Sequence, residues 1–119
     1  MRPESFAKYI TKREHMNSRR KGANGEREVC EILNQELGWA VKRNLSQSRD
    51  GGWDIEIAQF RIEVKRRKKL MVHEFMEQAS KSAGEATPVV LMRADGEEWL
   101  LMMKLSDAMP LIRDALPQR

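Results

Sequence analysis

The sequence predicts an α/β fold, a mixed β-sheet with helices packed on it, and three features carry that prediction. Two segments, about 23–37 and 72–83, repeat apolar residues at helical spacing. Two short runs, 54–57 and 60–65, alternate apolar with charged residues and are joined so tightly that a hairpin is the natural reading. Two more, "PVVLMR" and "EEWLLMMKL", are almost continuously apolar, as strands covered on both faces tend to be.

Taken in order, the elements read α-β-β-β-α-β-β-α. In the first helix Val29, Cys30, Ile32, Leu33 and Leu37 form the apolar stripe, and Gly38 supplies the stop. "WAVKRN" (39–44) reads as a short strand, and "LSQSRDGG" as a polar loop of the kind that carries function. After the hairpin, Val72, Phe75, Met76, Ala79 and Ala83 share one face of the second helix. Asp95-Gly96 fits the turn between the last two strands, and Ser106 is placed to cap a short final helix that ends before Pro117. One folded domain, 21–119, is expected after a basic N-terminal arm, 1–20, whose weak amphipathic patch is Phe6, Tyr9 and Ile10.

The 119 residues carry 22 Lys+Arg and 18 Asp+Glu, a net charge of +4, unevenly spread. Residues 1–21 hold seven Lys/Arg against two Glu, which leaves fifteen against sixteen for the rest. A second basic block runs from Lys65 through Arg66, Arg67 and Lys68 to Lys69. Such blocks either hold a polyanion such as nucleic acid through its phosphates or are solvated surface, and charge alone leaves both readings open. The one cysteine, Cys30, cannot form an internal disulfide, and no apolar run reaches membrane length, so a soluble, cytoplasmic protein with no membrane partner is expected.

The hairpin poses the chemical question. A tight connection at Ala58-Gln59 sets Ile57 against Phe60, Ile55 against Ile62 and Asp54 against Glu63; a four-residue loop of the same register serves equally well. Ile55, Ile57, Phe60, Ile62 and Val64 then share an apolar face, with Asp54, Glu56, Arg61, Glu63 and Lys65 on the other. Glu56 opposite Arg61 is an ordinary ion pair, but Asp54 opposite Glu63 is destabilising unless something positive lies between them. Glu26 continues the stripe of Val29 and Leu33 and so points inward, unless it sits solvated in the helix's first turn. Carboxylates with no His or Cys partner make a hard oxygen site suited to Mg²⁺ or Mn²⁺, and Lys65 is placed to orient a water or neutralise a developing phosphorane.

Asp54, then Glu63-Val64-Lys65, resembles the Asp…Glu-x-Lys signature of the PD-(D/E)XK nuclease superfamily. "RKGANGERE" (20–28), followed by "GWAVKR" (38–43), resembles the opening of archaeal-type Holliday junction resolvases, of which bacteriophages encode similar small versions. The resemblance covers roughly 20–104. It implies a restriction-endonuclease-like mixed sheet with an α-β-β-β-α-β core, and a metal-dependent DNA endonuclease, homodimeric, acting on four-way junctions. It further implies that Glu26, Asp54, Glu63 and the Val64 carbonyl ligate metal and that Lys65 is catalytic. Arg27 and Arg43 would meet DNA phosphate or the scissile group, Ser46 and Ser48 would approach the junction, and Gln78 would support the site. Arg66, Arg67, Lys68 and Lys69 would hold the flanking duplex. Trp53 stands where the signature has Pro, and the hairpin is shorter than in the archaeal enzymes. A nicking, flap or restriction-like nuclease of the same fold is the nearest alternative, and a non-catalytic DNA-binding protein the alternative of another class.

The remaining chemical residues read as structural. His15 and His73 have no second ligand at metal spacing and read as surface, and Cys30 as core. Trp39, Trp53 and Trp99 read as core anchors, and Met102 and Met103 as packing in a central strand.

Overall fold

The alternation in 54–65 becomes a hairpin in the register expected. In the computed structural model, which describes residues 6, 8, 18–39, 41, 43–44 and 52–118, β1 (Ile55–Ile57) pairs antiparallel with β2 (Phe60–Arg67), Ile55 opposite Ile62, Glu56 opposite Arg61 and Ile57 opposite Phe60. Of the two connections considered, the two-residue turn forms. Ala58 adopts φ 51° there, a strained conformation for a residue with a Cβ.

The second helix spans the residues expected, α2 (Val72–Ala83), and buries Phe75, Ala79 and Ala83 of its stripe. It crosses over to β3 (Thr87–Ala94), which lies parallel to β2, as strands joined by a helical crossover do. Asp95-Gly96 makes the next turn, with Gly96 at φ 77° and Glu97 N–H bonded to Ala94 O, and β4 (Leu100–Met102) returns antiparallel to β3. The sheet order is β1-β2-β3-β4, a mixed sheet flanked by helices.

α1 (Ser18–Leu37) and α2 cover opposite faces. Val29 and Cys30 of α1 join Val41, Ile55, Ile62, Val64 and Val89 in one core cluster, whereas Phe75 and Ala79 join Val90 and Met92 in another. The close approach of α1 to β2 depends on Gly25, where an added Cβ would lie 3.1 Å from the Arg66 Cβ. α1 also starts earlier than the apolar stripe indicated, so Glu26 sits well inside the helix and not in its first turn.

Four expectations are corrected. Among the described residues, 39–44 contribute one bridge, Arg43 to Ile55, instead of a strand. The chain there is tied to α1: Val41 N–H donates to Asn34 Oδ1, and Asn34 Nδ2 donates back to Val41 O. "EEWLLMMKL" gives only a three-residue edge strand with Leu100 and Leu101 exposed, so Met102 packs at the sheet's rim and not in its centre. Ser106 is no cap: α3 (Leu105–Ala115) begins after Lys104, without a side-chain cap. Trp39 is exposed, no core anchor, while Trp99 does pack against the core and Cys30 is buried as expected. No helix among the described residues is long and apolar enough to cross a membrane. Most of the arm, with His15, lies outside the described residues.

Candidate active site

β2 alternates, and its odd-numbered residues build the site. Glu63 and Lys65 point to the α2 side, buried to 4% and 7% exposure, while Ile62 and Val64 fill the α1 side. Asp54, just before β1, is 4% exposed and is held to the hairpin twice: its N–H donates to Ile62 O (2.9 Å), and its Oδ2 accepts from Val64 N–H (2.7 Å). A strand residue's N–H and C=O point the same way, so the Val64 carbonyl opens on the same edge as the Asp54 carboxylate.

Each buried charge has a local partner. Lys65 Nζ donates to Gln78 Oε1 at 2.6 Å, lies 3.8 Å from Glu63 Oε2 and sits 5.7 Å from the centre of the Phe75 ring. Gln78 and Phe75 come from α2, and so does Ser82, whose hydroxyl donates to Glu63. From α1, Glu26 projects inward and pairs with Arg43 (Nε to Oε2, 2.9 Å). It also comes within hydrogen-bonding reach of Asp54. The inward reading of Glu26 therefore holds over the solvated one.

Three acids share a poorly solvated space with fewer cations than they need. Burial first, then the neighbouring Glu63 charge, pushes the Asp54 carboxyl up to about 8, against the pull of the Val64 N–H. Burial also raises Glu63, although Lys65 and Ser82 oppose the shift. Asp54 is thus largely protonated at neutral pH unless another positive charge arrives. Among the described residues no three Asp, Glu, His or Cys side chains enclose an ion by themselves, so a cation here would draw on the Val64 carbonyl and water as well as carboxylates.

The expected nucleic-acid contacts divide by position. Arg27 is exposed and donates to Asn24 on its own helix. Arg67 is half-buried on the site's side of β2, and Lys68 and Lys69 are exposed. Arg66 is fully buried and so cannot reach a phosphate; with Arg93, also fully buried, it flanks Glu28 at 3.4 and 3.3 Å, and Trp99 Nε1 donates to the same carboxylate. Ser46 and Ser48 lie outside the described residues.

This Arg66–Glu28–Arg93 group locks α1 onto β2, two residues from Glu26, and sequence reasoning missed it. The signal was present: the alternation that sends Glu63 and Lys65 to one face sends Arg66 to the other. Ser82 was also missed; it lies one turn after Gln78 on α2 and so shares its face. Glu56 and Arg61 pair at 3.5 Å as expected, and the Arg61 guanidinium lies over the Trp53 ring at 5.1 Å.

No curated protein and no solved structure matches the chain. A family model does, over residues 17–116, and its description is "phage putative PDDEXK endonuclease". The matched span runs from the residue before α1 to the residue after α3, taking in the whole sheet and every described residue of the acidic site, and the chain accordingly belongs to this phage PDDEXK endonuclease family.

Proposed function

We propose that the protein is a metal-dependent endonuclease of branched DNA, a homodimeric Holliday junction resolvase that uses Mg²⁺ and accepts Mn²⁺. The observation that carries the metal reading is the buried pair Asp54 and Glu63, both raised, with the Val64 carbonyl opening beside them. Oxygen donors alone, in a space short of positive charge, suit a hard divalent cation that keeps some of its water.

Asp54, Glu63 and the Val64 carbonyl would hold the ion, with Glu26 closing the site from α1. Such a cation, when bound, lowers the pKa of a coordinated water and offsets charge at the scissile phosphate. The chain's own residues prepare the rest. Gln78 and Phe75 fix the Lys65 ammonium beside Glu63, where it can orient a water or meet a phosphate oxygen without reorganising. Arg43 holds Glu26 in place and offers the remainder of its guanidinium to the phosphodiester. Arg27, Arg67, Lys68 and Lys69, with the N-terminal arm, would grip flanking duplex through phosphates and read no bases. Ser46 and Ser48 would meet the junction.

The junction reading is supported by the resolvase-like "RKGANGERE" opening, whose Gly25, Glu26 and Glu28 all have work in the structure: close packing, the acidic site and the buried arginine pair. A four-way junction has two symmetry-related scissile strands, which a C2 pair of chains can address together. Incubating the protein with labelled four-way junction, flap and linear duplex, with and without Mg²⁺, tests the assignment. Preferential, Mg²⁺-dependent paired cuts in the junction are expected; preference for flap or linear DNA would move the substrate to a flap or nicking enzyme.

A further inference from the structure

We infer that the cleft between α1 and residues Val41 and Arg43 takes one unpaired nucleotide of the DNA strand that lies at the acidic site. The inference rests on the nuclease reading and adds to it the part of the substrate held beside the cut. The cleft has a volume of about 660 Å³, inside the roughly 300–1,000 Å³ of small-ligand sites and too small for a double helix. Its wall stands before any ligand arrives, because the Asn34 amide holds Val41 through two hydrogen bonds. Val41 N–H donates to Asn34 Oδ1, and Asn34 Nδ2 donates back to Val41 O at 3.4 Å.

The lining is graded from charged to apolar. Arg27 leads the α1 side, followed at i+3 and i+4 by Cys30 and Glu31 and at i+8 by Gln35. Arg43 stands at the Arg27 end, since its Nε bonds the Glu26 carboxylate at 2.9 Å. Two guanidinium groups thus mark the end that borders the acidic site, where they can take the nucleotide's phosphate. Cys30 and Val41, 8 and 9% exposed, give the apolar floor. Burial raises the Cys30 thiol above its ordinary value, so it stays protonated at neutral pH and presents a polarizable surface. A base lays its flat face on such a floor, and the Glu31 carboxylate and Gln35 amide, both at exposed positions, suit its polar edge.

This mixture selects the occupant. A phosphate alone would use the arginines and leave the Cys30–Val41 floor uncovered. A paired base has its faces stacked and its edge taken by its partner. Only an unpaired nucleotide offers phosphate, face and edge together, and branched DNA provides one where its stack is interrupted. Because Arg43 lines the cleft and also bonds Glu26, this nucleotide neighbours the phosphate at the acidic site.

The experiment is fluorescence anisotropy of the full chain in EDTA with three labelled DNAs: a duplex, the same duplex with one bulged thymidine, and that bulge without its base. Wild type should bind the bulge about tenfold tighter than either of the others. Gln35→Glu, at an exposed position and so expected to keep the wild-type circular dichroism spectrum, sets a second carboxylate in the cleft and should remove most of that preference. With 4-thiothymidine as the bulged nucleotide, irradiation should crosslink it to the tryptic peptide 28–42, which contains Cys30, Gln35 and Val41. Equal affinity for bulge and duplex would overturn the inference, and so would a crosslink elsewhere, whatever then covers the cleft. Equally tight binding of the abasic bulge would assign the preference to a bent backbone and overturn it too. Mg²⁺-dependent cleavage without the bulge preference would leave the nuclease reading standing. The preference and the crosslink, in a protein that cuts no DNA, would establish the nucleotide site and remove the nuclease reading instead.

Discussion

At the scale of single residues, Asp54 and Glu63 show how a fold can be made to want a cation. A carboxyl that ionises near 3.8 in the open chain and near 8 in the fold binds its proton more tightly when folded. Its contribution to stability is therefore complete below pH 4 and lost as pH rises towards 8. In EDTA, urea denaturation should show stability falling across that window, and Asp54→Asn should flatten the fall. Added Mg²⁺ should raise the wild-type midpoint more at pH 8 than at pH 5, because the ion competes with the proton; an equal shift at both would separate the metal from Asp54. Lys65 makes the complementary case. Lys65→Ala removes the ammonium held by Gln78, and single-turnover cleavage should fall by a hundredfold or more while DNA affinity changes little. A rate within a fewfold of wild type would make Lys65 a structural counter-ion of Glu63.

At the scale of elements, the parts set by local rules were legible in the sequence. The hairpin register followed from alternation and a tight turn, and α2 from its apolar stripe. What remained hidden depended on which face met what. Arg66 looked like one of five surface cations because the run was read as a charge block, although its place after Ile62 and Val64 put it on the buried face. β4 looked central because its sequence is apolar, but among the described strands it is the last of the sheet and has a neighbour on one side only. Ser106 had the right chemistry for a cap and the wrong position by two residues. In the site, the signature acids and lysine were readable, whereas Ser82 and Glu28 act through contacts between separate elements.

Two predictions belong to this scale. Glu28→Ala leaves two buried guanidinium groups without their shared carboxylate and should cost about 3–5 kcal/mol in denaturant unfolding, with cleavage reduced through the loosened α1. A loss under 1 kcal/mol would mean that Arg66 and Arg93 are satisfied elsewhere. Replacing Arg67, Lys68 and Lys69 by Gln, with Arg66 left intact, should flatten the log-log salt dependence of duplex binding by up to about 2.7. An unchanged slope would place that block away from the nucleic acid.

At the scale of the whole molecule, the two ends of the sheet differ in chemistry. The β1–β2 end gathers Glu26, Asp54, Glu63 and Lys65 beneath two helices that a buried salt-bridge group and an apolar core hold in place. At the β4–α3 end, Leu105, Ile112 and Leu116 are exposed, and residues 100–116 carry no net charge. One chain thus carries one such set among the described residues, and the resolvase reading needs two. The measurement that tests the central claim most directly is cleavage of an end-labelled four-way junction by wild-type and Asp54→Asn protein, each with Mg²⁺ and with EDTA. Wild type should cut two symmetry-related strands in Mg²⁺ and none in EDTA, and Asp54→Asn, folded and still able to bind the junction, should cut neither. Cleavage by wild type that persists in EDTA, or cleavage by Asp54→Asn at the wild-type rate, would contradict the assignment of a metal-dependent nuclease site to these residues.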